Sequence, residues 1–369
     1  MYRIKKLIPL FKKENIDGIL IENLYNIRYL SGFTGTTAFI IVTPKTLASP
    51  RGENFFFTDF RYKGYVEENL PPHFTYIDTS TLRGEGFAEF LENQKIKKLG
   101  FESEHVKVNQ YIHWGKKLKK VSLKPINGID SMLRISKTDE EIDKIIHAQQ
   151  CAEDALKKII KNLKPGKTER QVSDEIEIAA FNYSKGFESR ISFKPIVGFG
   201  PNSAIPHHQN TDKKFKKGDV VLVDMGFIYG GYCSDMTRTF FTKKPSDLEA
   251  QVYNTVLKAQ EAAIKHMKIG NTGGDCDKIA RDIITKAGYG KNFGHSLGHG
   301  IGLEVHESPN VGPNSKDALV ERCVITSEPG IYLAGQFGVR IEDMIHVTKK
   351  GPVNLAKYPK KLEEITVKI

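Results

Sequence analysis

Residues 219–241 read DVVLVDMGFIYGGYCSDMTRTFF. Two stretches that read as strands, 220–223 and 236–241, flank Gly230-Gly231, a dipeptide whose residues can both take positive φ and close a two-residue β-hairpin. With that turn, Tyr229 faces Tyr232 and Gly226 faces Asp235. Asp224 lies two residues from Gly226 on the same face, so Asp224 and Asp235 become diagonal neighbours with Cβ atoms roughly 7 Å apart or less. Hairpin carboxylates are commonly solvated surface groups. Two of them aimed into one space repel unless a cation lies between them, so the rest of the chain decides which description applies.

The chain has 369 residues, enough for two domains and a large core. Apolar residues at 39% and charged residues at 27% describe an ordinary soluble protein. A net charge of +11 raises nucleic acid as a partner, but the lysines are scattered and there is no arginine-rich arm or aromatic-studded basic stripe. No nucleic-acid partner is expected. Cys151, Cys233, Cys276 and Cys323 form no CxxC pair and fit free thiols in a reducing cytoplasm. No apolar run is long enough for a signal peptide or a membrane span.

Before the hairpin, the chain alternates strand and helix patterns. Strands are expected at 17–21, 37–42, 54–58, 76–79 and 99–102, and helices at 23–30, 86–94 and 109–118. Pro9 interrupts an apolar helical face in the first dozen residues, so that helix kinks or begins late. This is an α/β domain, residues 1–128, with no glycine-rich nucleotide fingerprint. The stretch 131–139 reads as a linker. Thr138 and Glu141 then form a capping-box pattern that opens a long helix. A second helix opens at Thr168 and ends at Gly186. Helices near 247–267 and 275–287 follow, with strands expected at 193–197, 323–328 and 339–348. Residues 129–369 thus form an α+β domain whose two halves repeat a helix-then-strand layout.

Chemistry collects in three further stretches. FGHSLGHGIGLEVHE carries His295, His299 and His306 among glycines that let the backbone pass close to a bound group. In TSEPGIY, Pro329 holds Glu328 extended. In GVRIEDM, Arg340 and Glu342 point to one face of a strand, as an ion pair or as separate site groups. Asp224, Asp235, His299, Glu328 and Glu342 together bring one imidazole and about four negative charges to one place, which two divalent cations balance. Oxygen-rich ligation with one imidazole favours Mn, Co, Fe or Zn. Two such ions roughly 3.5–4 Å apart share a water, lower its pKa and polarise a carbonyl. Neutral histidines stabilise a tetrahedral intermediate. This is equipment for amide hydrolysis.

With these residues in view, the chain resembles the pita-bread metallopeptidases, in particular the Xaa-Pro aminopeptidases and Xaa-Pro dipeptidases (prolidases). NSAIPHH, DMGFIYGGYCSDMTRTF, HSLGHGIGLEVHE, SEPGIY and VRIED match the family's motif blocks in order, and NIRYLSGFTG resembles its N-terminal domain. The resemblance implies a creatinase-type N-terminal α/β domain and a pita-bread catalytic domain with two metal ions, manganese foremost. It implies that Asp224 chelates the first ion, Asp235 and Glu342 bridge both, and His299 and Glu328 complete the second. Glu328 is then the general base, with His207 and His306 as catalytic and substrate-contacting groups. His295 lines the proline pocket, Arg340 orients the carboxylates and borders the substrate, and His208 has no assigned role. The implied partners are a proline-containing peptide and a second copy of the chain in a homodimer. Hydrolysis of the Xaa-Pro bond at a peptide N-terminus is the preferred activity and dipeptide cleavage the alternative. Methionine aminopeptidases usually lack the N-terminal domain, creatinase uses no metal, and a non-catalytic peptide-binding module would not need all five donors.

Overall fold

A computed structural model describes residues 2–47, 54–183 and 190–367. Residues divide by contacts into two compact units, 1–134 and 135–369. In the first unit a six-stranded sheet runs in the order Phe74–Asp78, Asn54–Thr58, Phe39–Val42, Gly18–Ile21, Lys98–Glu102, Ser122–Ile126. Gly18–Ile21 sits at its centre, antiparallel to Phe39–Val42 and parallel to Lys98–Glu102. Its residues are buried, as a continuous apolar run requires when both sheet faces are covered. Pro9 falls in the first turn of Ile8–Glu14, where its missing N–H costs nothing, and the preceding helix stops at Lys5. Three described helices or strands of this unit escape the sequence pattern, the helix Lys63–Asn69 among them. Ser122–Ile126 is a polar edge strand, and the stretch read as a linker contains the helix Ile129–Arg134.

The second unit opens on Asp139–Lys161, with the Thr138–Glu141 capping box formed. Its apolar face is buried from Ile142 and Ile145 onward, and Leu156, Ile159 and Ile160 pack into the large core. Glu169–Tyr183 follows, and Gly186 lies outside the described residues. A second helix pair, Asp247–His266 and Gly273–Lys286, repeats this arrangement, each helix opened by a capping box. Strands lie after each pair. Ile196–Phe199, Val220–Met225 and Met236–Phe241 form one sheet, and Gly298–Gly300, Val324–Ser327 and Asp343–Thr348 are the middle of a five-stranded one. The expected strand at 339–348 is two strands, Phe337–Arg340 and Asp343–Thr348, separated at Ile341-Glu342.

The hairpin has the register read from its sequence. Tyr229 pairs with Tyr232, and Met225 with Met236. Gly230 and Gly231 have φ of 55° and 85°, the positive values that a two-residue turn needs. Gly226 has no alternative, because a Cβ there would lie 1.9 Å from the Ser234 carbonyl oxygen.

Candidate metal centre

Asp224, Asp235, His299, Glu328 and Glu342 all line one cavity of about 710 Å³, together with His207, His295, His306 and Arg340. Each arrives on a different part of the fold. Asp224 is the penultimate residue of the apolar strand Val220–Met225, opposite Ile196 on one side and Thr237 on the other. Asp235 occupies the kink between the turn and the strand Met236–Phe241. His299 is central in Gly298–Gly300, Glu328 follows Val324–Ser327, and Glu342 sits in the break between two strands. Asp235, Glu328 and Glu342 thus lie where strands end or break, while Asp224 and His299 lie within paired strands.

Ligand atoms of Asp235, His299 and Glu342 lie within 4.8 Å of one another. His299 Nε2 is 3.4 Å from Glu328 Oε1 and 3.6 Å from Asp235 Oδ2. Its Nδ1 faces the Gly300 carbonyl at 3.0 Å, which fixes the ring and leaves Nε2 for the cavity. Thr326 Oγ1 donates to Glu328 Oε1 at 3.2 Å, and Thr237 Oγ1 donates to Glu342 Oε2 at 2.7 Å. Arg340 does not pair with Glu342. Its Nη2 meets Asp224 Oδ2 at 2.5 Å, Nη1 meets the Tyr332 hydroxyl at 2.8 Å, and Nε meets Thr237 Oγ1 at 3.0 Å.

The electrostatics call for a cation. Burial and the neighbouring carboxylates push the Asp235 and Glu342 carboxyls well above the usual range. Burial also raises Asp224, despite the Arg340 guanidinium beside it. Burial would likewise raise Glu328, but the hydrogen bond and charge of His299 hold it below the ordinary value. Burial alone would lower His299, yet Glu328 and Asp235 hold it up at about 9. Four carboxylates thus share one guanidinium and one imidazolium. Among the described residues, Asp224 Oδ1 is buried with no hydrogen-bond partner. Hard oxygen donors, one imidazole nitrogen, an unsatisfied buried oxygen and surplus negative charge fit divalent cations.

The other histidines surround the cluster. The His306 ring packs edge-on against His299 at 4.3 Å between centroids. His295 Nε2 lies 2.9 Å from the Tyr332 hydroxyl, and its Nδ1 lies 2.8 Å from the Ser296 carbonyl. Burial lowers the pKa of both, favouring neutral rings. His207 is exposed at the cavity wall. His208 turns away, with Nε2 at 2.8 Å from Glu169 Oε2.

Several supporting residues lie outside the sequence-based set. Tyr332 joins His295 to Arg340. Arg238 is fully buried beneath the centre, donating to the Glu342 carbonyl at 2.6 Å and to Asp343 at 2.7 Å. A positive residue in the apolar strand Met236–Phe241 was the available signal for it, since a charge there needs a buried partner.

A buried cluster of carboxylates and imidazoles lining a cavity of peptide size is the equipment of a metal-dependent hydrolase. Metallopeptidase family M24 matches residues 143–349, and the Creatinase/Prolidase N-terminal domain matches residues 3–136. The chain is 35% identical over 366 residues to an Xaa-Pro dipeptidase of Pyrococcus horikoshii, covering 98% of each. It superposes on the structure of an Xaa-Pro dipeptidase from Bacillus anthracis with a TM-score of 0.91 and 37% identity, covering 98% of this chain and 99% of that one. An X-Pro aminopeptidase from Thermotoga maritima gives a TM-score of 0.84 at 33% identity, covering 97% and 99%. The chain belongs to metallopeptidase family M24, a dinuclear-metal-dependent family, and joins a creatinase-type α/β domain to a pita-bread catalytic domain. Among the described residues no helix is long and apolar enough to cross a membrane.

Proposed function

We propose that the chain is an Xaa-Pro dipeptidase, with Asp224, Asp235, His299, Glu328 and Glu342 holding two divalent metal ions, manganese foremost. The observation that carries this reading is the convergence of these five donors on one cavity that also contains His207, His295 and His306. The Xaa-Pro dipeptidases among its relatives favour dipeptide cleavage over the N-terminal aminopeptidase activity preferred from sequence. The likeness to an aminopeptidase structure keeps that activity as the second reading.

The bound metals would lower the pKa of an attacking water and polarise the scissile carbonyl. Glu328 is the proton acceptor. Its Oε1 is engaged by Thr326 and faces His299, while Oε2 is directed toward His295 Nδ1 at 4.0 Å. Oε2 therefore takes the proton from water and returns it to the leaving proline nitrogen. Neutral His306 donates a hydrogen bond to the developing oxyanion, and His207 contacts the substrate from the exposed wall. An Xaa-Pro bond offers no N–H and carries a ring on its nitrogen. Phe193 and His295, both lining the cavity, supply a surface for that ring. Four buried thiols fit a reducing cytoplasmic compartment.

Ala-Pro and Ala-Pro-Ala offered side by side with Mn²⁺ test this reading. Preferential hydrolysis of Ala-Pro supports it. Equal or faster cleavage of the tripeptide favours the aminopeptidase, and cleavage of neither with metal bound removes both.

A further inference from the structure

A dipeptide differs from a longer Xaa-Pro peptide in where its carboxylate lies. Its proline ends in a carboxylate, where the longer chain continues as a neutral amide. The cavity is acidic, with Asp224, Asp235, Glu307, Asp317, Glu328 and Glu342 on its walls. A second anion entering it needs a cation outside the cluster.

Among the described residues only two lysines or arginines line this cavity, Arg340 and Lys194. Arg340 is 3% exposed, and Asp224, Tyr332 and Thr237 engage its three nitrogens. His295 has both ring nitrogens engaged, by the Tyr332 hydroxyl and the Ser296 carbonyl, and His306 packs edge-on against His299. Lys194 is exposed, and among the described residues no carboxylate pairs with it. Its backbone is constrained, because the residue before a proline is confined to extended conformations and Pro195 follows. Phe193 and Ile196 beside it also line the cavity, and Ile196 pairs across the sheet with Asp224. Two residues of chain span at most ~7 Å, so Lys194 starts close to the strand that carries Asp224. Its ammonium rides on a flexible four-carbon stem.

We propose that Lys194 pairs with the free carboxylate of the substrate's C-terminal proline and so sets the preference for dipeptides. This rests on the dipeptidase reading. Lys194 touches the substrate away from the scissile bond and determines specificity rather than chemistry.

The test compares Ala-Pro with Ala-Pro amide, which lacks only the charge. The wild-type enzyme prefers the acid. In Lys194→Met the ratio of kcat/KM for acid over amide falls by about tenfold or more, the loss of one charge-assisted contact, and Lys194→Arg restores most of it. Calorimetric binding of L-proline against L-prolinamide gives a second readout, in which the same ratio falls in Lys194→Met. Either ratio unchanged in Lys194→Met overturns the assignment while leaving the dipeptidase reading intact. Wild-type enzyme that binds metal and cleaves neither substrate overturns the dipeptidase reading and this inference with it.

Discussion

Arg340 Nη2 donates to Asp224 Oδ2 at 2.5 Å, and both side chains are buried. The guanidinium therefore holds one oxygen of Asp224, while Oδ1 has no hydrogen-bond partner among the described residues and is the atom the proposed metal site would use. Tyr332 and Thr237 hold the guanidinium in turn. Removing it frees the carboxylate to rotate and removes the one fixed positive charge facing the cluster. Arg340→Met should lower metal affinity or kcat by about 10–100-fold, the usual effect of losing a partner that orients a ligand. Calorimetric metal titration together with kcat at saturating Mn²⁺ checks this, and an unchanged pair of values would show that Asp224 needs no such support.

His208, which had no role in the sequence, ties the segment that carries His207 to the helix Glu169–Tyr183 through Glu169. Glu169 is fully buried, and burial alone would raise its pKa. Hydrogen bonds from Thr211 Oγ1 at 2.7 Å, His208 Nε2 at 2.8 Å and Phe199 N at 2.9 Å instead hold it below the ordinary range. A carboxyl with a depressed folded pKa contributes stability above its unfolded value, about 4.3, and loses it as pH falls through the folded value. Glu169→Gln should cost about 1–3 kcal/mol near neutral pH. Its melting temperature should also fall less steeply than the wild type's on acidification below about pH 4.5. Parallel melting curves against pH for both proteins would refute the linkage.

The four cysteines are buried, and none is close to becoming a thiolate. Burial pushes Cys233 and Cys276 up to about 12 and Cys323 to about 11, and raises Cys151 as well. Since the thiolate is the nucleophile, Ellman's reagent should titrate no thiol in the native protein at pH 8 within minutes and four after unfolding. Rapid native labelling of any of them would contradict this burial.

Much of the centre was legible because its residues are chemically unusual for their positions. Asp224 ends a run of valines and a leucine, and Glu342 stands among isoleucines and a methionine, where an isolated charge is costly. The glycine pair at 230–231 set the hairpin register, and a one-residue slip would have turned Asp235 to the other face. Partners distant in the chain were not legible. Nothing near Arg340 in sequence distinguishes an Asp224 contact from a Glu342 pair two residues away. Tyr332 and Arg238 act through contacts to residues 37 and 105 positions away, at His295 and Asp343. The polar edge strand Ser122–Ile126 gave no alternating apolar signal, and the short strands Gly298–Gly300 and Gly330–Leu333 are too brief or glycine-rich for periodicity.

The most direct measurement is the metal content of the purified chain reconstituted with Mn²⁺ or Co²⁺, read by elemental analysis alongside Ala-Pro hydrolysis. The expected result is about two ions per wild-type chain, and in Asp235→Asn about one or none, with hydrolysis reduced by several orders of magnitude. Full hydrolysis by a metal-free wild type, or two retained ions with undiminished activity in Asp235→Asn, would contradict a cation pair held by these five side chains.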